Sequence, residues 1–186
     1  MSTNEQYNEI SLIKACSNGD NKAFKKIYDK HSGIMYSICL RYMTNEDEAK
    51  DALQEGFIKV FNSIGKFQFT GSFEGWMRRI MIRESISFLR KKKQLEFSTD
   101  DMEVYDEPSN YSDAELDVDE IQQLIDKLPE GYRMVFNMYA IEGYKHSEIA
   151  EMLSIAESTS KSQLFKARKL LQYNYHKMNT RIHENK

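Results

Sequence analysis

Apolar residues recur along this chain at steps of three and four, the spacing of helices that bury one face. Met1 to Gln6 is polar and expected to fray. Ile10, Ile13, Ala15 and Cys16 begin a first helix, and Asn18-Gly19-Asp20 ends it with Gly19 at the left-handed cap position. Asn21 is the expected N-cap of a longer helix with an inner face of Phe24, Ile27, Tyr28, His31, Ile34, Met35, Ile38 and Cys39. His31 reads there as a core residue. Thr44-Asn45-Glu46-Asp47-Glu48 is a helix start: short polar side chains cap the first amides, and acids suit the positive end of the dipole. The helix it opens, over residues 46–64, carries an apolar stripe of Ala49, Ala52, Leu53, Gly56, Phe57, Val60, Phe61 and Ile64. Asp47, Asp51, Gln54 and Glu55 stand side by side on its other face.

Beyond residue 117 the helical spacing returns. Val118, Ile121, Leu124, Ile125 and Leu128 predict an amphipathic helix that Pro129-Glu130-Gly131 should end. Arg133 to Ile141 predicts a second, capped by Glu142-Gly143. Two more follow, His146 to Leu153 and Glu157 to about Tyr173, separated by Ser154-Ile155-Ala156. The spacing of Ile149, Ala150, Leu153, Ile155, Leu164 and Ala167 is that of a helix-turn-helix, with small Ala150 letting the helices approach. Leu164, Ala167, Leu171 and Tyr175 should face inward. Ser158, Thr159, Lys161, Ser162, Phe165, Lys166 and Lys169 should face outward, a face suited to phosphates and a few base edges in a major groove. The basic tail after Tyr173 is expected to fray.

Composition supports an all-α chain: there are only two prolines and eight glycines. The net charge of −3 hides a partition. Between Leu95 and Glu120 there are 11 acids and no Lys or Arg; removing them from the total of 29 leaves 18 acids against 26 bases. Basic modules separated by an acidic connector remain compatible with nucleic-acid binding. The expected organisation is two small helical domains, 8–93 and 118–176, the second a four-helix domain with the helix-turn-helix. An acidic flexible linker at 94–117 joins them, and a basic tail at 177–186 follows. Cys16 and Cys39, with no CxxC spacing, read as reduced core thiols. The four histidines form no ligand cluster, so neither metal nor cofactor is expected. Without a long apolar run or signal-peptide pattern, the protein is expected in the cytoplasm.

The most unusual chemistry lies between Gly65 and Lys93. Phe67, Phe69, Phe73 and Trp76 crowd a short segment in which they are not all expected to be buried. A helix with Arg78, Arg79, Arg83 and Arg90 follows and ends on Lys91, Lys92 and Lys93. Rings can stack on unstacked bases while cations hold phosphates. A core helix with a basic solvent face is the plainer alternative for either half alone. The polar stripe of Asp47, Asp51, Gln54 and Glu55 likewise has three readings: a solvated face, an acid–base pair, or a docking surface for a basic partner. Nothing nearby predicts the desolvated cleft that acid–base work needs.

Three motifs, in order and covering nearly the whole chain, resemble the extracytoplasmic-function (ECF) group of the sigma-70 family of bacterial RNA polymerase sigma factors. Asp47-x-Ala49-x-Asp51-x-x-Gln54-Glu55-x-Phe57 resembles that family's core-polymerase-binding helix. Phe73-x-x-Trp76-Met77-x-x-Ile80 with Leu89-Arg90 resembles its −10 reading and promoter-melting segment. Glu148-Ile149-Ala150-x-x-Leu153, Ser158-Thr159-Ser160-Lys161-Ser162 and Ala167-Arg168 are similar to its −35-reading helix-turn-helix. The resemblance implies a dissociable initiation subunit that performs no catalysis. Asp47, Asp51, Gln54 and Glu55 would dock on core polymerase, whose largest-subunit coiled coil and flap are the implied contacts. The aromatics and arginines of 67–90 would open the duplex and capture a flipped non-template base. Promoter DNA and an anti-sigma factor are the other implied partners; no small-molecule substrate is. The family usually has Asn and Asp where this chain has Arg83 and Ser87, so phosphate contact is expected there more than base identity. Ser158 stands where Gly is usual, Gln163 where Arg is common, Lys145 where Ser opens the helix, and Ser154 where the turn usually takes Gly.

Two rivals make different predictions. An ordinary helix-turn-helix regulator would bind its operator tightly without polymerase. An enzyme using Asp47, Asp51 or Glu55 as acid–base groups would need a nucleophile, a phosphate-cradling loop or metal spacing beside them, and none of these supports that reading.

Overall fold

The computed structural model describes residues 3–43, 45–92 and 117–184, and every described element is helical. The chain divides into two compact units between Lys91 and Lys92. The expected acidic linker at 94–117 lies, apart from Asp117, outside the described residues.

In the first unit α1 (Thr3–Ser17) packs on α2 (Asn21–Tyr42), and α2, α3 (Glu46–Ser63) and α4 (Phe73–Lys91) pack on one another. The first helix starts at Thr3, so the backbone expected to fray up to Gln6 is helical from its third residue. The cap of α2 is also displaced from expectation. Asp20, not Asn21, has the extended backbone of an N-cap, and its carboxylate accepts from the amides of Lys22 (2.8 Å) and Ala23 (3.2 Å). Gly19 stands just before it at φ +83°, in the left-handed region, and closes α1. Asn45 caps α3 as its sequence predicts, accepting from the Glu48 amide at 2.9 Å. Glu46, Asp47 and Glu48 fill the first turn.

The core of this unit is Ile27, Met35, Ile38, Cys39, Ala49, Ala52, Val60, Met77, Met81, Ile82 and Leu89, all 1 % exposed or less. On α2 the buried line runs through Ala23, Ile27, His31, Met35, Ile38, Cys39 and Tyr42. Tyr28 and Ile34, expected on that face, lie at its edges and are exposed. The Tyr28 ring leans on Phe57, 4.7 Å between centroids, and so gains contact without entering the core. α3 and α4 pack tightly at Gly56, where a Cβ would collide with the Met81 sulfur. Burial pushes the Cys16 and Cys39 thiols up to about 11, which leaves them unreactive core groups. His31 is buried and lies 3.8 Å from Glu9.

The second unit holds α5 (Val118–Asp126), α6 (Glu130–Phe136) running into a π-helical turn (Asn137–Ile141), α7 (His146–Leu153) and α8 (Glu157–Glu184). Leu124, Leu128, Tyr132, Val135, Met138, Ile149, Leu153, Leu164 and Ala167 form its core. Pro129 does end α5, but α6 begins at Glu130 rather than Arg133, and Gly131 is buried inside it. Proline before the first helical residue loses no needed amide. Arg133 helps close α5, its guanidinium donating to the Asp126 carbonyl at 3.1 Å. α8 runs 28 residues, about 42 Å, and continues past Tyr173. The basic tail expected to fray is therefore helical to Glu184.

Candidate nucleic-acid interface

On α3, Asp47, Asp51, Gln54 and Glu55 are all exposed, opposite the buried stripe. Lys50 lies 3.6 Å from Glu46 and 3.4 Å from Asp47, so Asp47 shares a cation at the solvent face. That hydrogen bond from Lys50 raises the lysine's pKa. Such exposed pairs contribute little to stability. Asp51, Gln54 and Glu55 make no side-chain bond to any described residue. An acidic, amide-bearing face held rigidly by a packed helix can bind a basic surface. No group in it has the burial that would turn a carboxylate into a general acid.

The chain leaves α3 through a 3₁₀ turn (Ile64–Lys66), passes a loop, and enters α4 at Phe73. Gly71 (φ +93°) and Phe69 (φ +57°) hold the loop in the left-handed region. For a bulky residue such as Phe69 this costs about 1–3 kcal/mol, so packing must hold it. That packing is aromatic. Phe67 lies 5.1 Å from Phe69, 5.2 Å from Phe73 and 5.6 Å from Trp76, and Phe73 stacks on Trp76 at 5.6 Å and 19°. Ser72 steadies the helix start, its hydroxyl accepting from the Gly75 amide at 3.2 Å.

The four rings do not share one environment. Phe67 (8 % exposed) and Phe73 (2 %) are buried, in keeping with the expectation that the four rings are not all buried or all open. They bury themselves by packing on each other, and Phe73 also lies edge-on to the buried His31 at 6.1 Å. Phe69 (44 %) and the half-buried Trp76 keep open surface. A cleft of about 390 Å³ lies beside Trp76, lined among others by Lys66, Phe67, Gln68, Thr70, Trp76 and Arg79. Its size is at the small end of ligand sites, and it offers the rings of Phe67 and Trp76, two cations and short polar groups. Arg79 and Arg83 are exposed and pair with no described residue. Arg78 lies 3.3 Å from Glu74, and Arg90 is exposed at the far end of α4.

In the second unit, Ser154 takes the left-handed position of the turn at φ +54°, without glycine. The Glu148 carboxylate accepts from the Lys145 amide at 2.9 Å, capping α7 where no short hydroxyl is available. At the start of α8, Ser158, Lys161, Ser162 and Phe165 (63 %) are exposed, and Thr159, Lys166 and Lys169 are half-buried. Lys161 pairs with Glu157 at 2.7 Å, and this bond holds the Glu157 carboxyl below its ordinary range. Lys169 lies over the Phe165 ring at 5.9 Å. Ser160 and Gln163, between these residues, are buried. His146, Tyr139 and Ser160, which carry no expected site role in the sequence, meet behind this face. Neither helical periodicity nor residue type marks a contact across 14 residues.

Among the described residues no group of His, Cys, Asp and Glu could hold a metal ion, and no helix is long and apolar enough to cross a membrane.

Comparison with known proteins places both units. Residues 27–94 match the family model "Sigma-70 region 2", and residues 118–171 match "Sigma-70, region 4". The chain is 31% identical over 172 residues to the ECF RNA polymerase sigma factor SigW of Bacillus subtilis, covering 86% of this chain and 92% of that one. It is 25% identical over 181 residues to the ECF RNA polymerase sigma-E factor of Haemophilus influenzae, covering 90% and 95%. Among solved structures it is similar to RpoE of Bartonella quintana, crystallised with the anti-sigma factor NepR. There the TM-score is 0.52 and the identity 20%, covering 81% of this chain and 95% of that one. It is likewise similar in fold to CnrH in complex with the cytosolic domain of CnrY, with TM-score 0.51 and 17% identity over 89% and 95%.

Proposed function

This chain belongs to the ECF group of the sigma-70 family, and we propose that its surfaces divide promoter recognition into docking, duplex reading and strand capture. As a sigma factor it binds RNA polymerase core and promoter DNA and starts transcription at specific promoters; such factors are initiation subunits rather than catalysts. Asp47, Asp51, Gln54 and Glu55 dock on the coiled coil of the polymerase's largest subunit, and the second unit lies against the flap. The first turns of α8 read the −35 element: Ser158, Thr159, Lys161, Ser162 and Phe165 meet base edges and phosphates, and Lys166 and Lys169 meet phosphates. Arg78, Arg79, Arg83 and Arg90 hold the −10 backbone. Trp76 receives the flipped base in the cleft, supported by the rings of Phe67 and Phe73, and the exposed Phe69 beside Phe67 offers a ring to a neighbouring base.

The observation that carries this reading is the cleft at Trp76 and Arg79, a ring and a cation on a rigid aromatic base at the start of α4. The direct test is transcription in vitro with purified core polymerase and a genomic promoter library. Initiation from a discrete promoter set that depends on this chain is the expected result. Tight operator binding without polymerase, and no transcript with it, would overturn the proposal.

Work beside polymerase supports a cytoplasmic location for the protein. An anti-sigma protein is a proposed partner, since the B. quintana relative was crystallised with one. Lys161→Ala is expected to weaken promoter binding and lower the slope of log affinity against log salt by about one, the signature of one lost phosphate contact. An unchanged slope in a salt titration would remove Lys161 from the phosphate contacts.

A further inference from the structure

A second polar contact lies behind the reading face. Ser160 is 0 % exposed and sits at the centre of the run from Ser158 to Ser162, pointing inward while Ser158, Lys161 and Ser162 are exposed and Thr159 is half-buried. Its hydroxyl lies 2.9 Å from Nδ1 of His146, the first residue of α7. The His146 ring stacks on Tyr139 at 4.6 Å and 22°, and Arg168 lies over that same tyrosine ring at 5.7 Å. Tyr139 is supplied by the π-helical turn, a geometry that proteins use at functional positions. The imidazole thus ties three elements together: the π-helical turn, α7 and the first turns of α8.

We propose that His146 is the positioning residue of the reading helix, fixing the depth and rotation of residues 158–162 through its bond to Ser160. The proposal rests on the assignment of α8 as the −35-reading helix. The apolar lock of Ile149, Leu153 and Leu164 holds α7 and α8 together, but apolar contact is non-directional and tolerates small rotations. A hydrogen bond does not, because it weakens steeply with distance and angle. Ser160 also stands where an error is felt most, since both its neighbours are reading residues.

The charges around the ring favour its neutral form. Burial lowers the pKa of His146; Lys161 and Arg168 from α8 lower it further, and Glu157 opposes them. On the α7 side the Glu148 carboxylate is engaged by the Lys145 amide. Tyr139 faces the ring from the π-helical turn. A neutral imidazole has one donor and one acceptor nitrogen, so a single hydroxyl satisfies Nδ1 in either tautomer.

The test uses the full chain with core polymerase and a promoter duplex selected from random DNA by the wild-type holoenzyme. Ser160→Ala removes the hydroxyl, and His146→Phe keeps a ring on Tyr139 but removes Nδ1. Each should weaken binding by about fivefold to tenfold, the ordinary worth of one hydrogen bond. Each should also narrow the gap between the selected −35 sequence and a scrambled one. The double variant should be no worse than either single, because both break the same bond. His146→Asn, whose amide nitrogen can stand near the place of Nδ1, should recover most of the loss, which a purely space-filling role would not allow. Single variants that bind and discriminate like wild type, additive losses, or an asparagine as poor as phenylalanine would each overturn the proposal. Thermal melts followed by circular dichroism identify a variant that fails to fold, and the asparagine comparison then decides. Failure of the wild-type holoenzyme to select any −35 sequence would instead refute the assignment of α8.

Discussion

Alanine at Trp76 is expected to cut open-complex formation by about tenfold to a hundredfold while leaving closed binding to duplex promoter nearly unchanged. One base stacked on an aromatic ring is worth about 1–3 kcal/mol, and the cleft at the start of α4 offers one well-placed ring. Phe73 stacks on the indole at 19° and Phe67 approaches it at 5.6 Å, so the platform is already ordered before DNA arrives. Little entropy is then lost on capture. Duplex binding depends on phosphate contacts from arginines and lysines elsewhere, which the substitution leaves in place. Permanganate reactivity of the −10 thymines reports opening, and filter binding on duplex DNA reports the closed complex. Equal loss in both assays would assign Trp76 to general binding or to folding. Phe73→Ala is the contrasting case: the ring is 2 % exposed, and its removal should destabilise the first unit by about 3–5 kcal/mol.

The contrast between Trp76 and Phe73 shows where sequence reading reached and where it stopped. Composition and spacing predicted helices in two domains because long amphipathic segments satisfy their own backbone and announce their buried face. The helix-turn-helix was legible for the same reason: α7 spans His146–Leu153, the range that the apolar spacing predicts. The aromatic segment was legible as unusual, but not in its division of labour. Four rings within ten residues have no periodicity, and which of them is buried depends on tertiary packing against α2 and on a positive φ at Phe69. Capping failed by one residue at Asp20 because two adjacent short polar residues are both good caps, and only the backbone angle separates them. The extension of α8 past Tyr173 was missed because a polar helix carries no apolar stripe to mark it. His146 and Ser160 were missed because a hydrogen bond between helices leaves no repeat in the chain.

The acidic stripe of α3 supports the other large effect. Asp51→Ala combined with Gln54→Ala is expected to weaken assembly with core polymerase by about a hundredfold, with a stability change within about 0.5 kcal/mol. Both side chains are exposed and bonded to no described residue, so their loss opens no cavity and strands no internal partner. Anything they contribute must therefore be contributed to a partner. The helix beneath them is rigid: Ala49, Ala52 and Val60 are 1 % exposed or less, and Lys59 on α3 pairs with Glu84 on α4 at 2.5 Å. The stripe thus meets a partner with its geometry already set. Asp47→Ala should cost less, because Asp47 already shares Lys50 with Glu46 and presents a partly compensated charge. Salt dependence separates docking from bulk electrostatics, since a purely charge-driven contact would be lost in high salt while a docked amide and carboxylate face keeps part of its affinity. A fluorescence titration of labelled chain against core polymerase measures each affinity. Unchanged assembly by the double variant would return the stripe to the solvated surface that composition alone allows.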